Sequence, residues 1–177
     1  VKPLKENLMK KLTARDMVQI ALVAAIYIAL TITPPFNAIS FGAYQFRISE
    51  MMNFMAFYNR KYIIGVTIGC MISNFFSFGI LDVFVGGGST LVFLTLGVVL
   101  FSKVKPGYLL NGWLRKDFFL FSIFFSISMV TIAIELNIVT GAPFLLTWFT
   151  TAIGECASLL VGAILIDKIS KRIDLTQ

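Results

Sequence analysis

The chain alternates long apolar runs with short polar or turn-forming breaks, and none of the long runs carries the polar face that a soluble amphipathic helix needs. Runs at 16–33, 62–78, 89–102, 118–136 and 144–166 meet or approach the roughly 20 residues a helix needs to cross the hydrocarbon core of a bilayer. A sixth, 48–58, is apolar but only about half that length. Between them fall Pro34-Pro35, Asn59-Arg60, Gly79, Gly86-Gly87-Gly88, Pro106-Gly107 and Gly141-Ala142-Pro143, which break helices or form turns. The pattern predicts an all-α membrane protein of six transmembrane helices in one domain over 9–177. The glycine triplet is read as a flexible turn that opens the fourth helix, with Ser89 as its cap. Residues 1–8, ahead of Met9-Lys10-Lys11, read as a leader or an upstream start.

Composition points the same way. Of the 177 residues, 58% are hydrophobic and 14% charged, too little charge for a water-facing surface. The mean hydropathy of +0.87 agrees. The first apolar run is followed by further runs rather than by a small-residue cleavage site, so it does not read as a removable signal peptide.

The net charge of +6 sits in clusters between the apolar runs and not along one helix, which argues for a topology signal and against nucleic-acid binding. With six spans, Lys2, Lys5, Lys10, Lys11 and Arg15, then Arg60 and Lys61, then Lys103, Lys105, Arg115 and Lys116, and finally Lys168, Lys171 and Arg172 all fall on one side. The excess of Lys and Arg makes that side cytoplasmic and puts both termini there. Arg47 is the exception. With five spans the C-terminal cluster would change sides, so charge bias favours counting 48–58 as a crossing.

Several carboxylates distribute the other way. Glu50, Asp82, Glu135 and Glu155 fall toward the outer half, at or inside the predicted spans, where an ionisable group costs a few kcal/mol unless paired or hydrated. Together with Arg47 they suggest a polar pocket opening away from the cytoplasm. A plain Arg47–Glu50 pair at i, i+3 is the structural alternative, and Glu135 also suits the lipid interface. The 36–45 connection, ahead of the dense polar stretch Gln45-Phe46-Arg47-Ile48-Ser49-Glu50, suits a lid over such a pocket or an interfacial loop anchored by aromatic residues.

The first helix carries Ala21, Ala25 and Ala29 four apart, a stripe that lets another helix approach closely and that Ala24 widens. It serves internal packing or docks another subunit. Enzyme chemistry finds no apparatus: histidine is absent, no Ser-His or Cys-His pair or metal-ligand set is visible, and Gly86-Gly87-Gly88-Ser89-Thr90 lacks the lysine and spacing of a phosphate-binding loop. Cys70 and Cys156 lie in apolar runs and read as packing residues. No cofactor or metal is expected.

The string Phe41-Gly42-Ala43-Tyr44-Gln45-Phe46-Arg47-Ile48-Ser49-Glu50, then Leu81-Asp82-Val83-Phe84 before a glycine-rich helix start, then Gly154-Glu155 in the last helix, resembles the QueT-like branch of the substrate-binding S components of energy-coupling factor (ECF) transporters. It departs from the family pattern at Ala43 and at the glycine-rich stretch. The resemblance implies an S-component bundle in a bacterial cytoplasmic membrane, partnered by a transmembrane T component and two ABC-type ATPases, that imports a queuosine precursor of the 7-deazaguanine type. On that reading Gln45, Arg47, Glu50, Asn74, Asp82, Trp148 and Glu155 contact substrate. Carboxylates suit its N–H donors, Arg47, Gln45 or Asn74 its carbonyl, and Phe46, Phe84 or Trp148 its ring. Ala21, Ala25 and Ala29 dock the partner. Hydroxymethylpyrimidine, or another small heterocyclic vitamin, is the alternative substrate, and a non-transporting membrane interaction subunit the alternative function.

Overall fold

The computed structural model describes residues 12–77, 79–105 and 107–176. The leader at 1–8, the start at Met9, the basic positions Lys2, Lys5, Lys10 and Lys11, Phe78 and Pro106 lie outside these. Helix α1 is Ala14–Ile32, α2 Phe36–Ser40, α3 Lys61–Phe75, α4 Ile80–Phe101, α5 Lys116–Ile127, α6 Val130–Thr140 and α7 Phe144–Ser170. A 3-10 helix covers Ile48–Phe57, and a small antiparallel hairpin pairs β1 (Tyr108–Leu109) with β2 (Leu114–Arg115). Four helical stretches, Ala14–Ile32, Ile80–Phe101, Lys116–Thr140 and Phe144–Ser170, are long and apolar enough to cross a membrane, and Lys61–Phe75 is a shorter apolar helix. This is an all-α membrane protein.

The helices do not follow the six expected segments one for one. The 48–58 run is 3-10 rather than α-helical, a short helix interrupts the 36–45 connection, and the 118–136 run is two helices meeting at Ser128-Met129. No proline or glycine marks that break. It is made by side chains returning to the backbone: Ser128 Oγ donates to the Phe125 carbonyl at 2.6 Å and Thr131 Oγ1 to the Ser128 carbonyl at 3.0 Å. Serine and threonine used this way bend helices. The glycine triplet is likewise not a turn. α4 runs through it from Ile80, and Ser89 donates to Thr131 Oγ1 of α6 at 2.8 Å instead of capping.

Gly86 and Gly87 lie inside α4 because α3 presses against them. A Cβ on Gly86 would meet the Asn74 side chain and one on Gly87 the Met71 side chain. On its other face α3 brings Gly65 and Gly69 against α1, where an added Cβ would stand 2.8 Å from the Ile20 carbonyl oxygen and 2.8 Å from Tyr27 Cβ respectively. Between apolar helices in lipid the hydrophobic effect supplies little drive, so association rests on this close approach. α7 packs along the 3-10 helix, with Gly162 against Met51, and along the preceding loop, with Gly154 against the Tyr44 carbonyl. Aromatic rings of Phe54, Phe57, Phe118, Phe121 and Phe125 close the core between the 3-10 helix and α5. Outward faces are apolar, as at Val18, Phe84, Ile138 and Leu145.

Both ends of the described chain meet at one end of the bundle. A capping box of Thr13 and Asp16 starts α1, and Asp16 also pairs with Lys61 at 2.7 Å, at the start of α3. Asn59 donates to the Thr176 carbonyl at 3.2 Å and Tyr58 to Ser170 Oγ at 2.9 Å. Arg115 donates to Tyr58 at 2.7 Å, and Lys171 pairs with Asp167 at 2.8 Å. Lys61, Arg115 and Lys171, from three of the basic clusters of the sequence, therefore gather at this end.

Candidate substrate site

Toward the middle of the bundle the packing leaves a cavity of about 20 Å³, lined among others by Arg47, Glu50, Cys70, Thr90, Phe125 and Glu155. That is room for about one water. Its walls come from the 3-10 helix and the residue before it, α3, α4, the α5–α6 break and α7. The break matters here, since Ser128 and Met129 both face the cavity.

Arg47 precedes the 3-10 helix and is 7% exposed. Its Nη1 donates to Asn74 Oδ1 at 3.1 Å, its Nε to the Ser40 carbonyl at 3.4 Å, and its guanidinium lies 5.4 Å from the centre of the Phe41 ring. Ser158 of α7 donates to the Arg47 carbonyl and so ties the segment to the last helix. Glu50, one turn on, accepts from Tyr27 Oη and from Asn53 Nδ2 at 2.6 Å. Thr31, also on α1, donates to Ser49 Oγ at 2.7 Å. Glu50 is thus held from α1, and the direct Arg47–Glu50 pair suggested by i, i+3 spacing does not form.

Glu155 differs. It is 1% exposed, lines the cavity, and its Oε1 has no hydrogen-bond partner among the described residues. Glu50 and Glu155 interact with each other and with Arg47, as do Asp82 and Glu135. Among the described residues none of these acids makes a direct ion pair with Arg47, and direct pairs form elsewhere, as at Lys61–Asp16, Arg115–Asp117 and Lys171–Asp167. One buried arginine therefore faces four buried carboxylates. Such a centre is poorly neutralised by itself and well suited to a ligand rich in N–H donors.

Of the residues selected from sequence, Arg47, Glu50 and Glu155 come together at the cavity. Asn74 stands behind Arg47 with both ends of its amide engaged, since Nδ2 donates to the Asp82 carbonyl at 3.3 Å and approaches Cys70 Sγ at 3.5 Å. Asp82 is buried one turn along α4 from the cavity-lining Gly86. Gln45 is buried in a positive-φ conformation (φ 46°) with its Oε1 unpartnered, next to the site but not on its wall. Trp148 is elsewhere: its Nε1 donates to the Ile127 carbonyl at 3.2 Å and its ring stacks on Phe144. Phe84 faces outward, and the aromatic ring at the cavity is Phe125.

Glu135 is buried, at 4% exposure, and not at the lipid interface. Ala21, Ala25 and Ala29 are exposed on α1, whereas Ala24 is buried against α3 and does not widen the stripe. Sequence reasoning missed Tyr27, Asn53, Phe125, Ser128 and Ser158. Tyr27 carried a usable signal, a phenol in the middle of an apolar helix; the others read as ordinary core or loop residues.

Residues 17–171 match the family described as QueT transporter. The chain is 62% identical over 169 residues to the queuosine precursor transporter QueT of Lactococcus lactis subsp. cremoris, covering 96% of this chain and all of that protein. No solved structure matches it.

Proposed function

The chain belongs to the QueT transporter family, and on that premise we propose that it is the substrate-capture subunit of an ECF-type importer for a queuosine precursor of the 7-deazaguanine class. The observation that carries the reading is the buried centre of Arg47, Glu50 and Glu155 around a cavity reached by five parts of the fold. The guanine-like edge of the ligand presents adjacent N–H donors to the unpartnered Glu155 Oε1 and to Glu50, Arg47 donates to the ring carbonyl, and Phe125 packs on the ring face.

A space for one water does not hold a bicyclic ring, so entry requires the walls to part. The segment that parts is 36–47, held to α7 through Gly154 and Ser158 and to α3 through the Arg47–Asn74 bond. It acts as the lid. Six crossings result when Lys61–Phe75 and the 3-10 helix are counted with the four long spans, and both termini and the basic end then face the cytoplasm. The exposed Ala21, Ala25 and Ala29 stripe docks a transmembrane T component, and two ABC-type ATPases supply the energy.

The test uses the purified full chain. Native mass spectrometry should find a bound deazapurine, and 7-aminomethyl-7-deazaguanine should bind the chain alone. Uptake against a gradient should require co-reconstituted partner ATPases. A tightly bound molecule of another class, or concentrative uptake by this chain alone, would overturn the reading.

A further inference from the structure

Next to the cavity two carboxylates from different helices interact, and among the described residues neither makes an ion pair. Gly86 of α4 and Ile132 of α6 line the cavity. Asp82 precedes Gly86 by four residues and Glu135 follows Ile132 by three, so each lies on the same helix face about one turn further along. α4 begins at Ile80 and α6 ends at Thr140, which places both acids toward the bundle end opposite the chain termini. Asp82 is 3% exposed and Glu135 4%. They interact with each other, and the cation in reach of both is Arg47.

Neither carboxylate oxygen of Glu135 meets an N–H or hydroxyl donor among the described residues, and the group it touches is the second acid, Asp82. Arg47 does not fill that role: among the described residues it makes no ion pair with either acid, and its charge is shared with Glu50 and Glu155. What the pair lacks is a compact cation with several N–H donors. A primary ammonium has three. No group of three or more metal-ligating side chains occurs among the described residues, which favours an organic cation over a metal ion here.

We infer that Asp82 and Glu135 form a subsite for a primary ammonium carried by the transported heterocycle, and that this subsite selects ligands with a cationic arm over uncharged ones. The inference rests on the heterocycle-import reading above. The ring occupies the cavity beside Arg47, Glu50 and Glu155, and the arm reaches one helical turn, about 5.4 Å along the helix axes. This is the span from the middle of a bicyclic ring to an amine on a one-carbon substituent.

The experiment is calorimetric titration of the purified full chain with 7-aminomethyl-7-deazaguanine and with its uncharged counterpart 7-hydroxymethyl-7-deazaguanine, on the native chain, Glu135→Gln and Asp82→Asn. The native chain should bind the amine at least about tenfold more tightly than the alcohol. Each variant should lose most of that preference, weakening the amine far more than the alcohol. Equal affinities in the native chain need no variant to interpret and would overturn the subsite while leaving heterocycle binding intact. A preference that survives both substitutions, or alcohol binding that depends on added sodium ion and loses that dependence in Glu135→Gln, would overturn it too by assigning the pair another role. If neither compound binds the native chain, the heterocycle reading fails and takes the subsite with it.

Discussion

Removing the guanidinium of Arg47 tests whether one buried cation organises the polar centre. Arg47→Met keeps much of the apolar stem and deletes the charge. The structure then loses the bond to Asn74 Oδ1, leaves that oxygen and the Ser40 carbonyl without their donor, and leaves Glu50, Asp82, Glu135 and Glu155 with no countercharge. Breaking a buried charge arrangement by deleting one member costs about 3–5 kcal/mol. For a chain of this length that lowers the unfolding midpoint by roughly 10 °C. Arg47→Lys should fall between, because an ammonium keeps the charge but cannot span both Asn74 and the Ser40 carbonyl. Thermal unfolding of the ligand-free chain in detergent measures all three. The diagnostic arm is the double variant: Glu155→Gln removes one of the uncompensated acids, so in the Arg47→Met background it should recover stability, with a coupling of about 0.5–3 kcal/mol. An Arg47→Met chain that melts within about 2 °C of the native one, or a Glu155→Gln effect equal in both backgrounds, would refute the reasoning.

The remaining expectations are simpler. Glu155→Gln alone should weaken binding of the proposed deazaguanine ligand by about 1.5–3 kcal/mol, roughly 10- to 150-fold in Kd, by calorimetry; unchanged affinity would make Glu155 a packing residue. Gly154→Ala should cost about 1–3 kcal/mol and loosen ligand binding, since its methyl would strike the Tyr44 backbone carbonyl and push the lid segment off α7. Gly88→Ala, whose Cβ meets nothing within 4 Å, should instead stabilise α4 by about 0.5–1 kcal/mol, and the same sign for both would contradict the packing described. Ala25→Leu, on the exposed face of α1, should leave ligand affinity within about twofold and abolish co-purification with the proposed T component, because helix docking in lipid needs close approach.

The membrane class was legible in the sequence because lipid imposes a requirement on every residue of a span: backbone bonds are satisfied internally and the outward faces are apolar, so composition alone reports it. The basic residues Lys61, Arg115 and Lys171 were legible for a related reason, since the described turns at one end of the bundle carry their own charges. Glu50, Asp82, Glu135 and Glu155 stood out because a carboxylate in an apolar run is costly wherever the run packs. Their arrangement was not legible. Glu50 is held by Tyr27 from a helix 23 residues earlier, Arg47 reaches Asn74 27 residues later, and Ser158 secures Arg47 from 111 residues away. Only tertiary packing chooses such partners. The glycine triplet and the Ser128-Met129 break went against local rules for the same reason. Asn74 and Met71 occupy the space that side chains on Gly86 and Gly87 would need, which makes glycine a helix residue there, and the Ser128 side chain bonding back to the Phe125 carbonyl ends a helix that no proline or glycine marks. Sequence thus determined which groups the bilayer would not tolerate unpaired, and the fold decided which of them meet, which are satisfied, and which remain open to a ligand.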